Sequence, residues 1–458
     1  MDADFNIWLK SHPEITSLRL AVSDLNGVPR GKRIPSPHGI KAFAGGVRMP
    51  LSALNVDIWG ADIADSPLVF ASGDADGTLF PTGRGIVPMP WLDSPGALLP
   101  LWMSTDDGHP FVGDARHALN ETLQKFAARN LHPVVAMEME FYLLDGHSTT
   151  PRPPQIPGRP QRPESPDILS LAGLDAFEAF FTDLYATCKA MRIPADAASS
   201  EAGPGQFEIN LLHGDAMKAA DDAWLFKLAA KGVARKHGLQ ASFMAKPYPD
   251  QPGNGLHTHI SLLDGDGQNV FAAAPGPANA AANTTGAPLT QAIAGMLEMM
   301  RDSTLVFAPH GNSYHRLAPD SHAPTSVSWG HENRTTALRI PGGPAAARRI
   351  EHRVAGGDVN PYLMLAAILG AALHGIEHAL IPPAETRGNA YEAPAPQLCT
   401  DWRDAIDTAA TSARLGQILP SGLIDNLVRC KRQELARLAA EKPETRATRE
   451  IASYLETV

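Results

Sequence analysis

Residues 136–144 read AMEMEFYLL. Alternate residues of a β-strand share one face. Glu138 and Glu140 therefore stand side by side within an apolar run. Two anions so placed repel, and burying them unpaired costs roughly several kcal/mol each. The positive charge that balances them has to come from other parts of the chain.

Four further stretches put polar groups on otherwise structural sequence. SSEAGPGQFEINL (199–211) carries Glu201 and Glu208 on either side of a Gly-Pro-Gly break that resets the strand register between them. GNGLHTHISL (253–262) puts His257, His259 and Ser261 on one strand face. NRTTALRIP (333–341) carries Arg334 and Arg339 at a spacing that needs a turn or bulge before they converge. RRIEHRVAGGDVNPYL (348–363) alternates Glu351 and Arg353 onto one face.

Acids with one or two imidazoles and no cysteine suit Mg²⁺ or Mn²⁺ rather than structural zinc. Arginines beside them suit the oxygens of a phosphate. Together they point to phosphoryl transfer from a nucleotide. The chain has no G-x-x-x-x-G-K-[ST] loop, so the expected nucleotide site is built on another scaffold.

The rest of the chain sets the frame. Its 458 residues are comfortable for two domains, and 44% hydrophobic with 19% charged residues is an ordinary globular balance. A net charge of −10 argues against nucleic acid as partner. No apolar run reaches the roughly 18 residues of a membrane helix, and the N-terminus does not read as a signal peptide. Cys188, Cys399 and Cys430 lie far apart, as expected of reduced cytoplasmic thiols. The texture changes near residue 112, after which DARHALNETLQKFAARN reads as a helix with Asp114 as its N-cap. Segments 150–166 and 272–288 read as surface loops.

Taken together, SDLNGVPRGKRIP, VVAMEMEFYLLD, PGQFEINL, FMAKPY, GNGLHTHIS, NSYHR, SWGHENRTTALRIP and RRIEHRVAGGDVNPYL resemble the glutamine synthetase superfamily, and within it the γ-glutamylpolyamine (γ-glutamylputrescine) synthetase branch. The resemblance implies an α+β protein. A β-grasp domain at 1–112 would precede a catalytic domain at 113–458 with a curved, barrel-like antiparallel sheet and helices. It also implies a homo-oligomer, commonly a dodecamer of two rings, with ATP, L-glutamate and an amine as substrates and two or three Mg²⁺ (or Mn²⁺) per site. Glu140, Glu201 and Glu208 match the ligands of one ion, and Glu138, His257 and Glu351 those of another. Gly253, Arg316 and Arg353 match glutamate contacts, Arg334 and Arg339 face the transferred phosphoryl group, and His259, Ser261 and Arg349 match nucleotide contacts.

Two departures bear on the amine. Where the family carries a flap acid this chain has His322 in RLAPDSHAP, and the family's second ammonium-binding acid aligns with Pro50. Both losses favour an amine bulkier than ammonia, with His322 as the candidate base. Asp57 and Asp62 are candidates for attracting a polyamine's distal ammonium. The alternatives on the same scaffold are an ammonia-using glutamine synthetase and a γ-glutamyl ligase for a monoamine. A catalytically silent assembly protein is the alternative of another class.

Overall fold

Strand β7 (Leu131–Asp145) organises the larger half of the molecule, and its burial follows the alternation of its sequence. Val135, Met137, Met139 and Phe141 are buried, while Glu138 and Glu140 face the other way and are half-buried. Phe141 sits with Phe180, Phe207, Phe226 and Phe243 at ring-centroid separations of 5.5–6.4 Å. That aromatic cluster fixes which face of the strand is core.

The computed structural model describes residues 2–163, 167–272 and 288–458. Six strands precede β7: β1 (Ser17–Ser23), β2 (Pro29–Pro35), β3 (Arg48–Pro50), β4 (Asp76–Pro81), β5 (Val87–Pro88) and β6 (Gly96–Ser104). They form one sheet in the order β2-β1-β6-β4-β3, with β5 also on β6. The central β1–β6 pair is parallel and the others are antiparallel, which is the β-grasp arrangement. The turn between β1 and β2 places Gly27 at φ 78°, a backbone that suits glycine.

The second sheet contains β7, β8 (Ala195–Ser200), β9 (Gln206–Asp215), β10 (Leu239–Ser242), β11 (Leu256–Asp264), β12 (Trp329–His331), β13 (Leu338–Ile340) and β14 (Ile350–His352). Its order is β12-β13-β14-β11-β7-β9-β8, with β10 on the far end of β7. The sheet is nearly closed and barrel-like. One pair departs from the antiparallel expectation: β12 and β13 run parallel. Glu332 at φ 51° and the turn around Asn333 double the chain back on itself between them.

Helices pack on the apolar face. Asp114 does cap the Ala115–Ala127 helix, accepting from the Arg116 amide at 2.9 Å, and it also accepts from Met103 N on β6. Asn360 caps the buried Pro361–Glu377 helix by accepting from Tyr362 N and Leu363 N. Segment 150–163 holds no helix or strand; the rest of that loop and nearly all of 272–288 lie outside the described residues. No described helix is long and apolar enough to cross a membrane.

A buried ion pair fastens the first sheet to the C-terminal helices. Lys431 and Glu434 on the Ser421–Ala439 helix are fully buried and 3.0 Å apart. Lys431 also donates to Asn26 and to His310 Nδ1, while Glu434 accepts from the Ile58 amide at 2.8 Å. Removing one partner strands the other without compensation. Lys431→Met should therefore cost about 3–5 kcal/mol. Adding Glu434→Leu should recover a large part of that loss, as read by urea unfolding of the single and double variants.

Candidate active site

Strand register builds the site. Glu140 stands opposite Glu208 across β7 and β9, and Glu138 lies between Asn210 on β9 and His257 on β11. Farther along, His259 faces Glu351, which in turn faces Arg339 on β13. The polar face of the sheet thus carries a diagonal row of acids and imidazoles ending in a guanidinium.

Two donor groups result, each with its ligand atoms within 4.8 Å of one another: Glu138, His257 and Glu351, and Glu140, Glu208 and His257. The first is the set expected for one ion. The second contains His257 in place of Glu201. Glu201 stands in the β8–β9 turn, where its amide donates to Gln206 O, and its charge faces Glu140 and Glu138. Gly205, at φ 79°, makes the register reset that the sequence requires.

The hydrogen bonds fix the imidazoles. His257 Nδ1 lies 3.0 Å from Glu138 Oε2; a ring protonated at Nδ1 donates there and leaves Nε2 as the atom open to an ion. His259 Nε2 is 2.8 Å from Glu138 Oε1, while its Nδ1 accepts from Arg349 Nε at 3.2 Å. Glu138 is therefore clamped between two imidazoles. Burial opposes its ionisation, but those two hydrogen bonds together with the charges of His257 and His259 outweigh it and hold the carboxyl far below its usual range. Glu351 is likewise held low against its burial, by His257, Arg353 and His259.

Glu201 and Glu208 go the other way. Burial, followed by the charges of Glu140 and Glu138, pushes Glu201 up to about 7. Burial, followed by Glu138, Glu140 and Glu201, pushes Glu208 up to about 9. The site thus gathers more negative charge than its own cations offset. Oxygen donors with a shared imidazole suit a hard divalent ion, and all three cysteines are buried and outside both groups.

The arginines divide into two kinds. Arg339 donates to Glu351 Oε2 at 2.6 Å and contacts Glu332 at 3.5 Å, and Arg353 pairs with Glu351 Oε1. Arg316 is buried and donates to Val354 O at 2.7 Å and Arg353 O at 3.3 Å. Arg334, by contrast, is exposed; its charge faces Glu201 and Glu332. Gly253 packs on Arg316: a Cβ there would meet Ala245 O at 2.5 Å and Arg316 Cγ at 2.8 Å. Ser261, His259 and Arg349 line a cavity of about 650 Å³ together with Glu138.

Some positions escaped the sequence reading. Gly255 donates its amide to Glu140 Oε2 at 2.6 Å, and a Cβ there would press on Arg316, His257 and Glu140. Asn210, two residues after Glu208 on the same face, donates to it at 3.4 Å. Both lie inside quoted motifs, so spacing from the acids was the available signal. His322 is exposed at φ 60°, and no hydrogen bond or ion pair joins it to the acids. Asp57 is corrected outright. It is fully buried and accepts from the Trp59 and Ala61 amides and from Gln433 Nε2, which leaves no free carboxylate to attract an ammonium.

A β-grasp unit joined to a barrel-like sheet whose polar face carries paired acidic donor groups defines a class, and the comparisons agree with it. The family described as "Glutamine synthetase, catalytic domain" matches residues 112–449. Gamma-glutamylputrescine synthetase PuuA of Escherichia coli (strain K12) is 36% identical over 93% of this chain and 90% of its own. Glutamate--isopropylamine ligase of a Pseudomonas species is 31% identical over 92% of both chains. A solved structure described as "GmaS/ADP complex-Conformation 1" superposes with a TM-score of 0.82 at 27% identity, covering 97% of this chain and 99% of its own. The chain belongs to the glutamine synthetase family. It is an ATP-dependent C–N ligase of that family.

The raised acids set a pH dependence. An unfolded glutamate titrates near 4.3. The folded, metal-free protein then binds extra protons between that value and the folded values of about 7 and about 9. Stability falls as pH rises through this window. A divalent cation requires the ionised carboxylates, so its stabilisation grows over the same window. The gap in Tm between excess Mg²⁺ and chelator should widen from pH 6 to pH 8.5. Glu208→Gln should raise the chelated Tm at pH 8.5 and shrink the gap; a gap independent of pH would contradict the charge assignment.

Proposed function

We propose that this chain joins the γ-carboxylate of L-glutamate to an aliphatic amine through γ-glutamyl phosphate, with a polyamine such as putrescine, spermidine or spermine as the expected nucleophile. The observation that carries the reading is the convergence of Glu138, Glu140, Glu208, His257 and Glu351 into two donor groups that share His257, with Arg339 and Arg353 on Glu351. Glu201 completes the proposed ligand set from the adjoining turn. Two or three Mg²⁺ or Mn²⁺ held there would neutralise charge on the phosphoryl oxygens.

The chain's own residues do the remaining work. Arg316 and Arg353, both buried, are assigned to glutamate's carboxylates, with Gly253 giving close backbone approach. His259, Ser261 and Arg349 are assigned to the nucleotide in the cavity that opens beside Glu138. Arg334 and Arg339 are assigned to the transferred phosphoryl group, where fixed cations stabilise developing charge. A carboxylate oxygen is a poor leaving group, and its phosphorylation turns it into phosphate. The amine must then lose a proton, since alkylammonium groups titrate near 10. His322 is the candidate acceptor.

The relatives and the two lost acids support this choice of amine. One relative is named for putrescine and the other for isopropylamine. The second name supports a monoamine ligase as the alternative, and ammonia is the third option. The reading also includes cytoplasmic location, a cut near residue 112 between the β-grasp and catalytic units, and a homo-oligomer, with light scattering to test for the dodecamer.

ADP release with glutamate should be measured against ammonium, putrescine, spermidine, spermine, isopropylamine and ethanolamine. The expected outcome is the highest kcat/KM with a di- or polyamine. Activity with ammonium alone would remove the proposed substrate class. Glu351→Gln should lower kcat/KM at least about 100-fold, on the scale of losing one preorganised charge at such a centre.

A further inference from the structure

His322 and Arg334 are the two assigned catalytic residues that no strand holds in the acidic row. Both are exposed and both stand on turns. The same distant segment fastens both turns. Residues 383–398 run along 323–331: Trp329 Nε1 donates to Pro383 O, Thr386 N to Trp329 O at 2.8 Å, Val327 N to Pro396 O at 2.7 Å and Leu398 N to Thr325 O at 2.9 Å.

On the Arg334 side, Asn333 Nδ2 donates to Thr386 O at 3.2 Å and Gly388 O at 2.8 Å, and the Ala390 amide donates to Thr335 Oγ1 at 2.9 Å. On the His322 side, the half-buried Tyr391 donates its hydroxyl to Ala323 O at 2.9 Å. Within the His322 turn, further bonds run to the turn itself and to its own root. Ser321 Oγ donates to Arg316 O at 2.9 Å, and the Ala323 amide donates to Ser321 Oγ at 3.3 Å. Asp320 and His322 both have φ of 60°, a left-handed backbone that persists only where neighbours hold it. Among those neighbours, Tyr391 is the side chain that reaches the turn from the Arg334 side.

We propose that Tyr391 is a positioning residue for the amine half-reaction: its hydroxyl, bonded to the Ala323 carbonyl, holds His322 at the place where the nucleophile gives up its proton. The inference rests on the proposed reading of His322 as that proton's acceptor. In the step it supports, one ammonium proton passes to the imidazole, the amine nitrogen bonds to the acyl carbon, the acyl C–O bond breaks to release phosphate, and the nitrogen's second proton leaves with that phosphate as hydrogen phosphate. Tyr391 touches none of these atoms and acts through the turn.

A double-mutant cycle on the full-length protein separates the outcomes. With saturating ATP and glutamate and the best amine of the panel, His322→Ala should lower kcat about 100-fold, as expected for loss of a general base. Tyr391→Phe should lower it about 10-fold, with KM for ATP unchanged and Tm kept. The double variant should be no slower than His322→Ala alone, because a positioning group has nothing left to position. Thr335→Val, which removes the acceptor for Ala390 N at the other end of the segment, should act in the same direction as Tyr391→Phe. A silent His322→Ala would sink the underlying reading of that imidazole, and the inference with it. A slow His322→Ala with a silent Tyr391→Phe, or with losses that multiply in the double variant, would overturn the inference alone.

Discussion

The structure depends on the mutual repulsion of glutamates gathered at one cleft, with Glu138, Glu140 and Glu208 on one face of a sheet and Glu201 in the turn beside them. Glu138 is neutralised locally by two imidazoles, whereas Glu201 and Glu208 are pushed up to about 7 and about 9 by their burial and by the charges of Glu138 and Glu140. A fold with no use for cations would not concentrate acids in this way, because each unpaired buried carboxylate lowers its stability. The surrounding architecture is a means of holding that charge in place. β7 is paired along its length by β9 and on its other edge by β11 and β10, so neither of its acids can drift.

The strands also sort the site by function. Groups that must keep a fixed spacing lie on β7, β9, β11 and β14, where the pleat sets their separation. Of the groups assigned to the amine and the transferred phosphoryl group, His322 and Arg334 lie on turns, while Arg339 is held on β13. The scaffold is shared with relatives named for amines as different as putrescine and isopropylamine.

What the sequence disclosed follows the same division. The period-two pattern of AMEMEF and of HTHIS was enough to put Glu138, Glu140, His257 and His259 on common faces, because alternation is a property of the strand itself. The Gly-Pro-Gly break signalled the β8–β9 turn. The parallel β12–β13 pair was not legible, since it depends on the reversal at Glu332 and on bonds from Asn333 to Thr386 and Gly388, more than fifty residues away. Asp57 misled because an aspartate in a loop reads as solvated. Its partners Gln433 and Arg437 come from a helix near the other end of the chain. The surroundings of His322 were hidden for the same reason.

One consequence follows from the two faces of β7. Its outward acids and its inward Met137, Met139 and Phe141 are interleaved one by one, so sliding the strand by a single position would drive carboxylates into the phenylalanine cluster and lift an aromatic ring into the cleft. Misthreading is therefore penalised twice over, and the motif that concentrates charge also proofreads its own alignment as the chain folds.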